Sequence, residues 1–126
     1  MRYINLTMLL RVVIASSMKS GEKQDSSMEF QELVLKAKEI ETKYRQQGKQ
    51  WDAAEYMQGF VGDVGDLAKL IMAKNGFRVN ENVDQKLAHE LADCLWSIII
   101  IADKLQIDLE KAFLSTMQEL RARLDK

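Results

Sequence analysis

A chain of 126 residues is long enough for one hydrophobic core and short for two. Its 18 basic and 19 acidic residues leave a net charge of −1, which excludes the broad basic field of a nucleic-acid or anionic-membrane binder; a polyanionic ligand has to be held by a local cluster of charges. One cysteine excludes an intramolecular disulfide and a thiolate metal cluster, and the absence of proline suits an all-α fold, with the cytoplasm as the expected compartment.

Residues 1–27 read differently from the rest. Behind Arg2, an apolar run from Tyr3 to Ala15 loosely imitates a secretory signal, but Arg11 interrupts it and no small-x-small cleavage site follows. The run is also too short and too polar to span a bilayer. A polar tract from Lys19 to Ser27 then leads to Met28. The expectation is an N-terminal extension over 1–27, either a disordered or loosely attached arm or a start assigned too early, followed by one functional domain over 28–126.

Four helices are expected after that point. Phe30, Leu33, Val34, Ala37, Ile40 and Tyr44 fall at the 3-4 spacing of one helical stripe, and Gly48 ends it. Asp52, with Glu55 three residues on, has the pattern of a capping box for a second helix from Ala53 to about Asn75, stopped by Gly76. Trp51 just before it reads first as a hydrophobic staple and second as a surface on which a nucleobase can stack. Gly59, Gly62 and Gly65 inside this helix each cost roughly 1 kcal/mol against alanine, which points to close backbone approach by another helix or by ligand. The connection from Gly76 to Val83 carries Arg78, and with Lys74 before it offers cations that can meet phosphates or remain solvated.

Asp84 reads as the N-cap of a third helix to about Gln106, with Leu87, Leu91, Leu95, Ile98, Ala102 and Leu105 as its main stripe. From Cys94 to Ala102 that helix is apolar all round except at Ser97, so it must be covered on every side. The inferred cover is a homodimer or homotetramer whose interface takes Trp96 and some of Ile99, Ile100 and Ile101. Cys94 reads as an inert core thiol. Asp108 caps a fourth helix striped by Leu109, Ala112, Phe113, Met117, Leu120 and Leu124, and Arg121 and Arg123 near its end suit the helix dipole.

The chemistry sits on the second and third helices. Asp63 and Asp66 are three apart and share a face, as do Glu90 and Asp93. Such pairs also occur on ordinary solvated helices, but Asp63 lies among Phe60, Leu67 and Leu70, where an uncompensated carboxylate is costly. If the two helices are antiparallel neighbours, the four acids converge and repel unless a cation sits between them. Oxygen-only ligands favour a hard ion, Mg²⁺ with Mn²⁺ as the alternative. His89, the sole histidine, reads as a surface residue or as one supporting a ligand. The Glu-x-x-His pattern of di-iron bundles is absent.

Gly62-Asp63-Val64-Gly65-Asp66-Leu67-Ala68, followed by Glu90-Leu91-Ala92-Asp93-Cys94-Leu95-Trp96, resembles the signature of MazG-like all-α nucleoside triphosphate pyrophosphohydrolases, in which E-x-x-E and a later E-x-x-D hold magnesium. The resemblance extends from about Phe30 to Arg123. It implies a four-helix, MazG-like bundle that oligomerises through its helices, with Asp63, Asp66, Glu90 and Asp93 as metal-binding and catalytic residues and Arg123 on the triphosphate. It also implies Mg²⁺-dependent conversion of a (deoxy)nucleoside triphosphate to monophosphate and pyrophosphate. The first pair here is Asp rather than Glu, Gly62 stands where many members carry another Glu, and Thr116 and Leu120 replace the Lys and Asn of related dCTP pyrophosphatases. Two other readings remain open on sequence: another substrate such as phosphoribosyl-ATP, or a non-catalytic helical oligomer that binds nucleotide or a protein.

Overall fold

Helix boundaries follow the local signals closely. In the computed structural model, which describes residues 28–126, helices α1 (Phe30–Gln46), α2 (Ala53–Lys74), α3 (Val83–Lys104) and α4 (Leu109–Leu124) make an all-α chain with no strand among the described residues. The extension expected over 1–27 lies outside the described residues. Gly48 (φ 94°) and Gly76 (φ 82°) take the left-handed backbone just past α1 and α2, a conformation that costs glycine little. Asp52 accepts the Glu55 N–H at 2.8 Å and Asp108 accepts that of Lys111 at 3.1 Å, so both expected caps are made.

One cap differs. Asn82, itself left-handed at φ 55°, precedes α3, which starts at Val83, two residues before the expected Gln85. Asp84 lies in the first turn, where a carboxylate suits the helix dipole, and receives Lys74 Nζ from the end of α2.

The spine of the fold is the antiparallel pair α2 and α3, which share the most extensive contact among the described helices. Lys74 meets Asp84 at one end of the pair, and Lys104 borders the same hollow as Ala53 at the other. α1 lies against α3: Trp96 Nε1 donates to the Ala37 carbonyl at 3.1 Å, and Ala37, Tyr56, Ile99 and Ile100 form the core, with Trp96 and Ile101 packed against it.

Of the residues expected at an intermolecular interface, Ile99 and Ile100 are buried within the chain, while Trp96 and Ile101 are half-buried. Most of that surface is covered inside the chain, by α1 and by Tyr56. The expected stripe is corrected, because Leu91, Leu95, Ile98 and Leu105 are exposed while Cys94, Ser97 and Ile100 are buried. Where a run is apolar all round, periodicity does not choose the buried face.

On α1 the buried positions are Ala37 and Glu41 rather than Ile40 and Tyr44. The Glu41 carboxylate sits 3.0 Å from Lys104 Nζ and 3.2 Å from Arg45 Nε, and these two cations offset its desolvation. α4 has no buried residue. It joins the body through Leu109, packed against the core, and through Gln31 Nε2 donating to Glu110 Oε2 at 2.7 Å. The four expected helices are present, but α4 does not lie along the others to close a bundle.

Candidate metal centre

α2 presents Asp63 and Asp66 one turn apart, and α3, running the other way, presents Glu90 opposite them. One carboxylate oxygen from each of the three lies within 4.8 Å of the others. Glu90 Oε2 is buried with no hydrogen-bond partner. A buried charged oxygen left unpaired costs more than a hydrogen bond gains, so this atom calls for a counter-charge.

The electrostatics agree. Burial pushes the Asp63 carboxyl above its ordinary pKa, with Asp93 and then Asp66 adding to the rise and His89 and Lys49 opposing it. Burial likewise raises Glu90, helped by Asp63, Asp93 and Asp66. Asp63 and Glu90 are thus harder to ionise first because they are buried and then because neighbouring acids stand close. The Cys94 thiol beneath them is held above its usual range by burial and by the same acids, so it is a poor nucleophile, as expected.

The sequence-selected residues do not all meet. Asp93 lies outside the tight trio and is engaged by His89 Nε2 at 3.1 Å, one helical turn away. His89 thus supports an acid of the site, one of the two roles expected for it. Asp66, at the rim, faces Lys69 Nζ at 3.9 Å.

Trp51 precedes Asp63 by twelve residues, and Lys74 follows Asp66 by eight, about 12 Å along the helix. Lys74 is engaged by Asp84, Arg78 stands exposed in the α2–α3 connection, and Arg123 is exposed in the last turn of α4. None of these four joins the acids within the described chain.

Trp51 does act as a staple. A Cβ on Gly59 would come within 3.3 Å of its ring, and the ring meets Tyr56 edge-on at 5.4 Å. Gly59 is approached by the Trp51 ring at the start of its own helix rather than by another helix, and a Cβ on Gly62 or Gly65 would meet no atom within 4 Å, so these glycines do not show the expected close approach of another helix. Lys49 was not singled out from sequence. Its Nζ lies 3.8 Å over the Trp51 ring and 4.5 Å from that of Tyr44, and its charge reaches Asp63. A lysine in a short polar connection carries no sequence signal for this. Beside it, a hollow of about 620 Å³ is lined by Arg45, Gln50, Trp51, Asp52, Ala53 and Lys104.

Three acids on two antiparallel helices, with one oxygen unsatisfied, fit a hard divalent cation in donor type and charge. The family model of the MazG nucleotide pyrophosphohydrolase domain matches residues 52–126, which span α2, α3, α4 and all four acids and leave out α1. No curated protein and no solved structure gives a significant match to the chain.

Proposed function

The chain belongs to the MazG nucleotide pyrophosphohydrolase family, and from that premise we propose that it hydrolyses a nucleoside triphosphate, a deoxynucleotide by preference, to the monophosphate and pyrophosphate. The observation that carries the reading is the unpartnered, buried Glu90 Oε2 facing Asp63 and Asp66. Asp63, Asp66 and Glu90 would hold Mg²⁺, or Mn²⁺ in its place, and Asp93 would join them or orient the site from its pair with His89. A cation so held supplies neutralisation of phosphate charge and acidifies bound water.

The chain's own residues do the rest. A carboxylate oxygen of the cluster accepts a proton from the attacking water, the water oxygen bonds to the α-phosphorus, and the α–β phosphoanhydride bond breaks with pyrophosphate leaving. Lys49, whose charge reaches Asp63, is the nearest candidate to meet the phosphates from within the chain, and Arg123, Lys74 and Arg78 are candidates from their exposed positions. The hollow beside Trp51 is where the nucleoside is proposed to lie. The working unit is proposed to be a homo-oligomer acting on free nucleotides.

The test is pyrophosphate release from canonical, deoxy and modified nucleoside triphosphates and phosphoribosyl-ATP, with Mg²⁺, Mn²⁺ or chelator. Metal-dependent turnover lost in Asp63→Asn and Glu90→Gln supports the reading and names the substrate. Absence of turnover across the panel with a folded protein overturns it in favour of a binding role.

A further inference from the structure

The hollow beside Trp51 carries a chemical bias of its own. Its wall combines the flat indole of Trp51 with the side chains of Arg45 and Lys104, and Asp52 stands on it at the start of α2. At about 620 Å³ it lies within the range of small-molecule sites. A flat ring with hydrogen-bond donors at its rim suits a planar ligand whose edge bears acceptors.

The two cations are held in relation to each other. The buried Glu41 carboxylate takes Lys104 Nζ on one oxygen at 3.0 Å and Arg45 Nε on the other at 3.2 Å, which sets the two charges side by side. Neither cation is saturated by that pairing. Lys104 gives a single hydrogen bond to Glu41, and the Arg45 fork gives only Nε to Glu41 and one Nη to Thr42 at 3.5 Å, so both keep N–H groups for a ligand. Lysine and arginine donate and never accept, so the pair selects two neighbouring acceptors.

Among the nucleobases, O6 and N7 of a 6-oxopurine are neighbouring acceptors on an edge remote from the sugar. Adenine carries an amino group in place of O6, which sets a donor against a cation. Uracil and thymine alternate acceptor and donor along that edge, and the neighbouring acceptors of cytosine begin beside the glycosidic bond. Asp52 adds to the match: one of its oxygens accepts the Glu55 N–H, and the other is an acceptor on the same wall for N1–H, which a 6-oxopurine carries beside O6 and adenine lacks.

We infer that the hollow selects a 6-oxopurine base, guanine or hypoxanthine, over adenine, with Arg45 and Lys104 donating to N7 and O6 while the ring lies along Trp51. This rests on the proposed hydrolysis for the triphosphate and adds the identity of the base. Arg45 and Lys104 determine specificity, and Glu41 is the residue that positions them.

The test is kcat/KM of the full chain for Mg²⁺-dependent pyrophosphate release from dITP and dATP, which differ in the 6-substituent and the N1 proton, with dGTP, dTTP and dCTP alongside. A preference of about 10–100-fold for dITP and dGTP over dATP is expected. Arg45→Met should reduce that preference about tenfold by raising KM for the 6-oxopurines. Arg45→Lys keeps a cation on Glu41 and loses the fork; it should lose part of the preference, and it serves if Arg45→Met fails to fold by circular dichroism. Equal losses for dITP and dATP in the Arg45 variants would assign this residue to the phosphates and overturn the inference. Equal use of dITP and dATP by the wild type, or preference for dATP or a pyrimidine, also overturns it. If no triphosphate is hydrolysed, calorimetric titration with dIMP and dAMP reads the base preference separately. Tighter binding of dIMP that is lost in Arg45→Met sustains the selectivity of the hollow while the hydrolase reading falls; equal affinity, or binding of neither, overturns the inference.

Discussion

Replacing Glu90 by glutamine separates a metal centre from an ordinary acidic cleft. The substitution keeps the size of the side chain and removes one of three charges whose oxygens lie within 4.8 Å of one another. At that separation a pair of like charges repels by about 1 kcal/mol in a water-like dielectric and about 3.5 kcal/mol at an effective dielectric of 20. Glu90 meets two such neighbours in a cleft that is open on one side, so relief of about 1–3 kcal/mol is the reasonable span in the absence of metal. For a domain of this size that is roughly 4–15 °C in Tm. In chelator, then, Glu90→Gln should melt above the wild type. With Mn²⁺ or Mg²⁺ in hundredfold excess over its dissociation constant, the wild type gains about 2.7 kcal/mol and the variant gains much less, so the order of the two melting points narrows or inverts. Differential scanning fluorimetry with and without chelator reads both effects. A variant that melts lower in chelator, or that keeps the full metal increment, refutes the assignment of Glu90 to a cation.

The same charges predict a pH dependence. Asp63 and Glu90 have raised folded-state pKa values against ordinary values of 3.8 and 4.5, so the fold holds their protons more tightly than the unfolded chain does. Their contribution is fully present below those ordinary values and is lost as pH rises through the folded ones. Without metal, the stability gap by which Glu90→Gln exceeds the wild type should widen from about pH 4 toward neutrality, as measured by urea unfolding at several pH values. Gly62→Ala should stabilise by up to about 1 kcal/mol, since nothing lies within 4 Å of the added carbon, while Gly59→Ala should gain less or lose, because it meets Trp51 at 3.3 Å; paired urea titrations decide. Glu41→Gln should destabilise by about 1–3 kcal/mol, by leaving Lys104 and Arg45 without their shared carboxylate, and thermal melts of the variant check it.

How far the sequence could be read depends on whether each signal is local. The Asp52 and Asp108 caps, the glycine stops and the pairing of Asp63 and Asp66 with Glu90 rest on spacing within a helix or on one antiparallel neighbour, and the structure carries them. The buried face of α3 was not legible, because Cys94 to Ala102 offers apolar residues in every direction and only the partner helices choose among them. Glu41 was missed for a related reason: a charged residue becomes a core position only when Lys104, 63 residues away, arrives beside it. Lys49 gave no signal at all, since its contacts with Trp51 and Tyr44 come from the turn that joins α1 to α2.

The chain also contains its own control for the site. Glu41 and Glu90 are both carboxylates set into the body of the fold, and they are treated in opposite ways. Around Glu41, α3 and α1 each supply a cation, Lys104 at 3.0 Å and Arg45 at 3.2 Å, and the acid is neutralised internally. Around Glu90 the acids Asp63, Asp93 and Asp66 outweigh the opposing His89, and one oxygen has no partner. His89 pairs with Asp93 and Lys69 with Asp66, and the pull of His89 and Lys49 on Asp63 is outweighed by burial and the neighbouring acids. Both arrangements use α3, Glu41 set against it from α1 and Glu90 on it facing α2, so a general tolerance of this fold for buried acids does not explain the difference. Glu41 is compensated by the chain itself; compensation for Glu90 has to come from a bound cation or from a proton, and the thermal response of Glu90→Gln to metal and to pH distinguishes the two.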